Sequence, residues 1–170
     1  MIIRRAGRDD VPAVLALLDG ATEWLVARGQ TEQWGTAPHS TSPRRVGQIT
    51  GFAEDGGLWV GVEAGRVVGA LAVGAAMEYV PPATEPELYV RLLVTERASA
   101  GQNIGGLLLD HARELAREAG VSVLRVDCFA GGDGALVRYY ESQGFTRDVA
   151  FAVPRVNEPD WPGQVLAQRL

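Results

Sequence analysis

The residues best suited to chemistry in this chain form a glycine-rich turn at the start of a helical pattern. The stretch AGQNIGGLLLDHARELA, residues 100–116, begins with glycines and short polar residues and then becomes apolar at helical spacing. An interior glycine costs a helix about 1 kcal/mol relative to alanine, so the turn needs bare backbone for a reason. The first N–H groups of a helix have no partner within it and carry a partial positive charge, which suits a phosphate. The candidate amide donors are Gly101, Gln102, Asn103, Ile104, Gly105 and Gly106.

A phosphate site at this turn competes with a simpler interpretation, a tight strand-to-helix turn that binds no ligand. Two common phosphate motifs do not fit the residues. The P-loop pattern G-x-x-x-x-G-K-[ST] needs a lysine, and the turn has none. The dinucleotide pattern G-x-G-x-x-G follows the first strand of a parallel unit, whereas this turn follows the predicted middle strand of an antiparallel meander. The turn by itself therefore leaves both alternatives open.

The composition is that of one globular domain spanning residues 1–170. Hydrophobic residues make up 46% and charged residues 22%, which argues against disorder. The net charge of −5 argues against a nucleic-acid partner. The single cysteine, Cys128, excludes an intramolecular disulfide, and His39 and His111 lack zinc-ligand spacing, so no metal is predicted. Because no apolar run approaches the roughly 18 residues of a membrane span, we expect a cytoplasmic protein without a membrane partner.

The elements around the turn predict an α/β domain with the order βααβββαβαββ and a mixed sheet. The first helix is expected to start at Asp9 or Asp10 as N-cap and to end near Gly29. Ser42 before Pro43 marks the start of the second. The third follows the glycine-rich turn to about residue 119, and the fourth spans residues 135–143. The predicted strands are 2–5, 58–62, 67–73, 87–94, 121–129, 145–153 and 164–170.

This element order and two motifs resemble the GCN5-related N-acetyltransferase (GNAT) superfamily over nearly the whole chain. In that family a turn of the form [Q/R]-x-x-G-x-[G/A] joins the fourth strand to the third helix and binds the pyrophosphate of acetyl-CoA. The corresponding residues here are Ala100, Asn103 and Gly105, so two of the three positions depart from the pattern. Downstream, DGALVRYYESQGF resembles N-x-x-[AL]-[VI]-x-x-Y-E-x-x-G-F, with Asp133 at the asparagine and Tyr140 at the tyrosine.

The resemblance implies a GNAT-like α/β (α+β) fold: a mixed, mostly antiparallel sheet of about seven strands with helices on both faces. It implies an enzyme that moves an acetyl group directly from acetyl-CoA, its co-substrate, to an amine of a small molecule or peptide. Tyr140 would then protonate the leaving thiolate, N–H groups of Leu93 and Val94 would bind the thioester oxygen, and Asp133 would lie near the cofactor. A homodimer is compatible with it. The alternatives are an acyl-CoA-binding module without turnover and an interaction domain that does not bind CoA.

The acceptor side is predicted from acidic and aromatic residues near the expected substrate end of the sheet. Glu87 is the candidate base, with a strand-capping role as its alternative. Asp127 interrupts an apolar strand and is either functional or paired with an arginine. Trp24 is expected in the core rather than in the pocket, and Cys128 as a small buried hydrophobe. The candidate substrate residues are Trp34, Gln33, Glu78, Tyr89 and Asp127, and Glu32, Glu78 and Glu87 predict a pocket for a cationic amine.

Overall fold

The computed structural model describes residues 1–170 and contains seven strands and four helices in the predicted order. Short 3-10 turns occur at Arg8–Asp10, His39–Thr41 and Arg97–Ser99. The strands are β1 Ile2–Arg5, β2 Leu58–Glu63, β3 Arg66–Gly74, β4 Leu88–Thr95, β5 Val123–Phe129, β6 Thr146–Val153 and β7 Trp161–Arg169. The helices are α1 Val11–Ala27, α2 Pro43–Glu54, α3 Ile104–Glu118 and α4 Ala135–Ser142.

The strands form one mixed sheet in the order β1-β2-β3-β4-β5-β7-β6, which confirms the predicted fold class. The pairs β1–β2, β2–β3, β5–β7 and β6–β7 are antiparallel. The pair β4–β5 is parallel and covers three register positions, in which Leu88, Tyr89 and Val90 face Leu124, Arg125 and Val126. None of the helices has the length and apolar character that crossing a membrane requires.

Contacts divide the chain into two compact units, each made of two segments. The first comprises Met1–Val73 and Leu92–Ala112, and the second comprises Gly74–Arg91 and Arg113–Leu170. In the first unit, α1 packs against α2, and α2 packs against β2. The buried residues of α1 recur at helical spacing and include Val11, Val14, Leu15, Leu18, Thr22 and Leu25.

The second unit is built around β5, whose residues are buried except for the partly exposed Asp127. β5 pairs along its whole length with β7, and α4 packs against β5 and β6. β7 begins at Trp161, three residues before the predicted start, because Trp161 and Pro162 pair with Val153 and Ala152 of β6. Because the other residues of β5 are buried, the carboxylate of Asp127 would be costly in this strand without a polar partner.

The structure confirms the predicted N-cap of the second helix and corrects that of the first. Ser42 caps α2 as predicted: its hydroxyl accepts the N–H of Arg45 at 3.3 Å, with Pro43 in the first turn. Asp10 is the N-cap residue of α1 by position, but its side chain makes no capping hydrogen bond to that helix. The carboxylate instead forms two hydrogen bonds with Arg4, at 2.8 and 2.9 Å, and accepts the N–H of Gly7 at 3.0 Å. Asp10 therefore ties β1 to the start of α1 rather than capping α1.

Candidate active site

The glycine-rich turn lies in the first unit between β4 and α3 and contains two residues with left-handed backbone. After the 3-10 turn at Arg97–Ser99, Gly101 has a φ of 89° and Asn103 a φ of 56°. Asparagine adopts this region more readily than most residues, so it can stand where the family pattern has glycine. A β carbon on Gly106 would overlap the side-chain amide of Asn103, which folds back over the first turn of α3. Local geometry thus accounts for Gly101 and Gly106.

The start of α3 presents backbone N–H groups that the helix itself does not use. The helical ladder begins where the N–H of Leu107 donates to the carbonyl of Asn103 at 3.1 Å. The amides of Ile104, Gly105 and Gly106 precede that bond and have no acceptor within the helix. One predicted donor is corrected, because the N–H of Gln102 donates to the carbonyl of Ser99 at 3.2 Å. The turn can therefore offer the first-turn amides of α3 to an anion, without Gln102.

Leu93 and Val94, the predicted donors to the thioester oxygen, lie in the C-terminal half of β4. The side chain of Val94 is buried and that of Leu93 is partly exposed. The parallel ladder between β4 and β5 ends at Val90, three residues before Leu93. The N–H groups of Leu93 and Val94 are thus outside that ladder.

Trp34 lies on the wall of a cavity of about 200 Å³ in the loop that connects α1 to α2. Its ring is half-buried and packs edge-on against His39, with ring centroids 5.3 Å apart. The same wall includes Arg44 and Arg45. Gln33 is half-buried beside Trp34, and Glu32 is exposed. Two arginines and no acidic side chain line this cavity, so it is not the acidic pocket that the sequence suggests, which stays a prediction.

His39 organises this loop, a role that its sequence context does not indicate. The ring is 6% exposed, and its Nδ1 accepts a hydrogen bond from Nε of Arg45 at 3.1 Å. Because arginine only donates, the ring proton belongs on Nε2, which lies 2.9 Å from the hydroxyl of Thr22. Asp19 accepts the backbone N–H of His39 and both polar hydrogens of Ser40. Burial and the charge of Arg45 lower the pKa of His39, so the ring is held neutral.

Glu87 lies in the second unit, directly before β4, and is held by a buried guanidinium. Arg125 is 3% exposed and binds both carboxylate oxygens of Glu87, one of them at 3.0 Å. Arg125 also donates to the carbonyl of Pro81 at 3.0 Å. Both oxygens of Glu87 are thus engaged by one guanidinium, which also lies 3.6 Å from a carboxylate oxygen of Asp148. The geometry therefore does not suit Glu87 to the role of base.

Asp127 pairs with a tyrosine, not with the arginine that the sequence offered as one alternative. The hydroxyl of Tyr89, a fully buried residue, donates to Oδ1 of Asp127 at 2.6 Å. Burial raises the pKa of Asp127 above its ordinary value, and the hydrogen bond from Tyr89 opposes that shift. Tyr89 was predicted to bind substrate, but with no exposed surface it serves instead to orient Asp127. Asp127 itself is partly exposed.

Tyr140 is the inward-facing member of the tyrosine pair on α4. It is 5% exposed, and its ring packs edge-on against Tyr139 and Phe145 at 5.3 and 5.9 Å between centroids. Burial, with the nearby Cys128 and Asp127, raises the pKa of Tyr140, so its hydroxyl stays protonated. Cys128 is buried as predicted, and burial raises its pKa to about 12, which leaves it unsuited to nucleophilic chemistry. Asp127 and Tyr140 thus interact electrostatically within one unit.

The sequence model of the acetyltransferase (GNAT) family matches residues 21–145, which include both the turn and Tyr140. This chain belongs to the GNAT family. Family membership supports acetyl transfer as its reaction, with acetyl-CoA as the donor that the family uses. Among the curated proteins, none has a significantly similar sequence.

Solved structures with the same fold cover this GNAT chain almost completely. Ribosomal-protein-alanine N-acetyltransferase from Brucella melitensis is 24% identical, with a TM-score of 0.71 and 100% coverage of both chains. An N-acetyltransferase from Staphylococcus aureus Mu50 is 17% identical, with a TM-score of 0.71, covering 99% of this chain and 97% of its own. The yncA structure from Salmonella typhimurium, with its cofactor acetyl-CoA, is 20% identical, with a TM-score of 0.68 and coverage of 99% and 93%. At these identities the likeness establishes the fold alone.

Two further predicted GNAT positions lie on the surface of the second unit. Asp133 accepts the N–H of Ala135 at 2.9 Å and lies 3.8 Å from the guanidinium of Arg138. It therefore shapes the turn before α4, as an asparagine at this position also can. Glu78 is exposed in the segment between β3 and β4.

Proposed function

We propose that this GNAT protein is an acetyl-CoA-dependent N-acetyltransferase that acts by direct transfer to an amine of a small molecule or peptide. The observation that carries the proposal is the start of α3, where the amides of Ile104, Gly105 and Gly106 precede the first helical hydrogen bond. Three such donors at the positive end of a helix fit a pyrophosphate. The absence of a side chain at Gly105 permits the close approach that this contact requires.

Acetyl-CoA supplies an acetyl group activated as a thioester. The chain must polarise the thioester carbonyl, and we assign this role to the N–H groups of Leu93 and Val94, which lie beyond the β4–β5 ladder. The chain must also stabilise the leaving thiolate. We assign the proton donor to Tyr140, the tyrosine of α4 that matches the family motif and packs inward against Phe145.

The acceptor must lose a proton, and we assign this step to Asp127 rather than to Glu87. Asp127 is partly exposed, accepts a hydrogen bond from Tyr89, and has a pKa raised above its ordinary value by burial. A base works best when its pKa lies near the working pH, which favours a carboxylate of this kind over one locked by Arg125. Asp127 and Tyr140, the proposed base and acid, both belong to the second unit.

The cavity beside Trp34 supports a proposal about the acceptor. Arg44 and Arg45 line it, and Trp34 offers an apolar face. Such a lining suits a carboxylate or another anionic group on the acceptor, with Arg44 as the binding guanidinium, because Arg45 already donates to His39 and Gln48. We therefore place the anionic part of the acceptor there, with Gln33 near it.

Two measurements test the proposed function. Isothermal titration with acetyl-CoA tests binding, and the release of free thiol with a panel of amines tests turnover. The panel contains amino acids, small amines without a carboxylate, aminoglycosides and peptide N-termini. Absence of acetyl-CoA binding would reject the proposal. Binding without thiol release from any acceptor would favour the acyl-CoA-binding module. Ala100 is the observation that favours this alternative, because it replaces the glutamine or arginine of the family's turn.

A further inference from the structure

Trp24, on the last turns of α1, is stacked with two guanidinium groups. The Cζ atoms of Arg28 and of Arg97 each lie 3.8 Å from the centre of the Trp24 ring. The two guanidiniums are therefore separated by at most twice that distance. The indole is half-buried and so is not the core residue that the sequence suggested. Trp24 is better described as a platform that holds two cations near each other.

Neither Arg28 nor Arg97 is paired with a carboxylate, although the net charge of the chain is −5. Glu96, the neighbour of Arg97, instead accepts hydrogen bonds from Arg66 and Ser99. Partial burial and the charge of Arg28 lower the pKa of Arg97, as expected for like charges held close together. Most other arginines have an acidic partner: Arg4, Arg8, Arg66, Arg125, Arg138, Arg147, Arg155 and Arg169.

The pair is located one turn before the glycine-rich turn, within the same unit. Arg97 begins the 3-10 turn that leads out of β4, and its carbonyl accepts the N–H of Ala100 at 3.2 Å. α1, which carries Trp24, packs against that 3-10 turn. Ala100 is the position at which the family pattern has a glutamine or arginine. The chain thus lacks the usual polar side chain at this point but has two guanidiniums on a neighbouring support.

We propose that Arg28 and Arg97, aligned by Trp24, form an anion site that binds a phosphate group of the CoA moiety. The proposal rests on the proposed function, because it needs acetyl-CoA to bind at the adjacent helix start. Guanidinium groups suit this role, since their planar fork donates paired hydrogen bonds to phosphate oxygens. An incoming phosphate would also neutralise two like charges that have no acidic partner. The competing explanation is that the stack only fastens α1 to the 3-10 turn.

The test compares binding of CoA and of 3′-dephospho-CoA by isothermal titration to the whole protein. The variants are Arg97→Gln and Arg28→Gln, and Arg8→Gln is the matched control. Arg8 also lies in the first unit and is exposed, but it pairs with Glu54, so its loss changes the net charge equally away from the stack. We expect Arg97→Gln and Arg28→Gln each to weaken CoA binding about tenfold, and Arg8→Gln by less than twofold. The loss should shrink in high salt, because it is electrostatic.

The two ligands identify which phosphate is bound. If the pair binds the 3′-phosphate, the variants lose affinity for CoA but not for 3′-dephospho-CoA; if it binds the pyrophosphate, they lose affinity for both. Either pattern supports the site. If both variants bind both ligands as tightly as the parent, the stack is structural and the inference is overturned, while the proposed function stands. If the parent itself binds no CoA, the proposed function fails and the inference with it. Arg28 is exposed at the end of α1, so its variant remains informative if Arg97→Gln does not fold.

Discussion

At the scale of single residues, Tyr140 combines a buried ring with a hydroxyl that resists ionisation. Replacing it with phenylalanine keeps the ring packing against Phe145 and removes only the donor. Because general acid catalysis typically contributes about 10²–10⁴-fold, we expect Tyr140→Phe to lower kcat at least tenfold, with acetyl-CoA affinity unchanged within a few-fold. Steady-state thiol release and isothermal titration measure the two quantities.

Tyr139 provides the matched control for this substitution. It is the adjacent residue on α4, is more exposed, and points about 100° away around the helix. Tyr139→Phe should leave kcat nearly unchanged. The assignment fails if, with both variants folded, Tyr139→Phe reduces turnover and Tyr140→Phe does not.

Asp127 gives a second prediction. Because its pKa is raised in the folded state, its ionised form lowers the free energy of unfolding. The folded state disfavours its ionisation, so fewer protons are bound by the unfolded chain between the ordinary pKa of about 3.9 and the raised folded value. Stability from this group is therefore greatest at low pH and falls as pH rises through that window. Asparagine keeps an acceptor for Tyr89 without the charge. We expect Asp127→Asn to be at least as stable as the parent at pH 7 in thermal melts, and to lose most of its turnover.

The stability difference should shrink as the pH approaches about 3.9, where the parent carboxyl is largely protonated in the folded state. Glu87→Gln is the comparison, since it removes the charge that pairs with Arg125. That variant should be less stable than the parent at pH 7, because it removes the nearer of the two carboxylates beside a buried guanidinium and leaves only Asp148, at 3.6 Å. Full turnover by Asp127→Asn would show that Asp127 is not the base.

The role of Tyr140 stays a prediction, but the sequence could single it out for a physical reason that does not apply to the acidic residues. The choice of Tyr140 over Tyr139 depends on a local pattern along one helix and the strand that follows it. The partners of Glu87 and Asp127 depend on the register between β4 and β5, which places Tyr89 opposite Arg125. That register is set by contacts between distant segments, and no local pattern specifies it. The contacts of Arg28 and Arg97 with Trp24 were not predictable for a similar reason, because Arg97 is distant from Trp24 in the sequence.

At the scale of elements, the helices and strands were predictable because their signals are local. The apolar periodicity of α1, the Ser42–Pro43 start of α2 and the turn between β2 and β3 are each contained within a few residues. The sheet order was not predictable in the same way, since β7 inserts between β5 and β6. Asp10 illustrates the limit: its position suits a cap, but Arg4 provides a better partner for its carboxylate.

The loop between α1 and α2 gives a prediction at this scale, through His39. In the unfolded chain a histidine titrates near pH 6.5, whereas burial and Arg45 lower the pKa of His39 in the fold. Protons therefore bind preferentially to the unfolded chain, and the free energy of unfolding falls as pH drops below about 6.5. Protonation of Nδ1 would also break its hydrogen bond from Arg45. The slope from this one group is at most about 1.4 kcal/mol per pH unit.

The measurement is urea denaturation of the parent and of His39→Gln at about pH 7 and pH 5.5. The substitution has its own cost, but it removes the titrating group. The parent should therefore lose more stability between the two pH values than the variant does. Equal losses in the two proteins would show that His39 does not link the fold of this loop to pH.

At the scale of the whole molecule, the net charge of −5 means that an anionic cofactor has to be bound by local positive groups. An acidic protein repels an anionic ligand at long range, but that repulsion is screened beyond about 8 Å at physiological ionic strength. Binding of acetyl-CoA therefore has to come from local groups. The first turn of α3 and the pair Arg28–Arg97 are such groups, and both lie in the first unit. The arginine-lined cavity beside Trp34 is a third, which we assign to the acceptor.

The last prediction concerns the stability of the whole chain when acetyl-CoA binds. A ligand that binds only the folded state at 100 times its Kd stabilises it by about 2.7 kcal/mol. For a chain of this size that corresponds to a rise in Tm of roughly 5–10 °C.

Gln102→Ala should show the same rise, because its backbone amide already donates to Ser99 and its side chain is not required. Gly105→Glu should show little or none, since a carboxylate in the first turn of α3 repels the phosphates. The variant is expected to fold, because an acidic side chain near a helix N-terminus is favourable for the helix itself. Equal Tm shifts for Gly105→Glu and the parent at the same acetyl-CoA concentration would place the cofactor elsewhere.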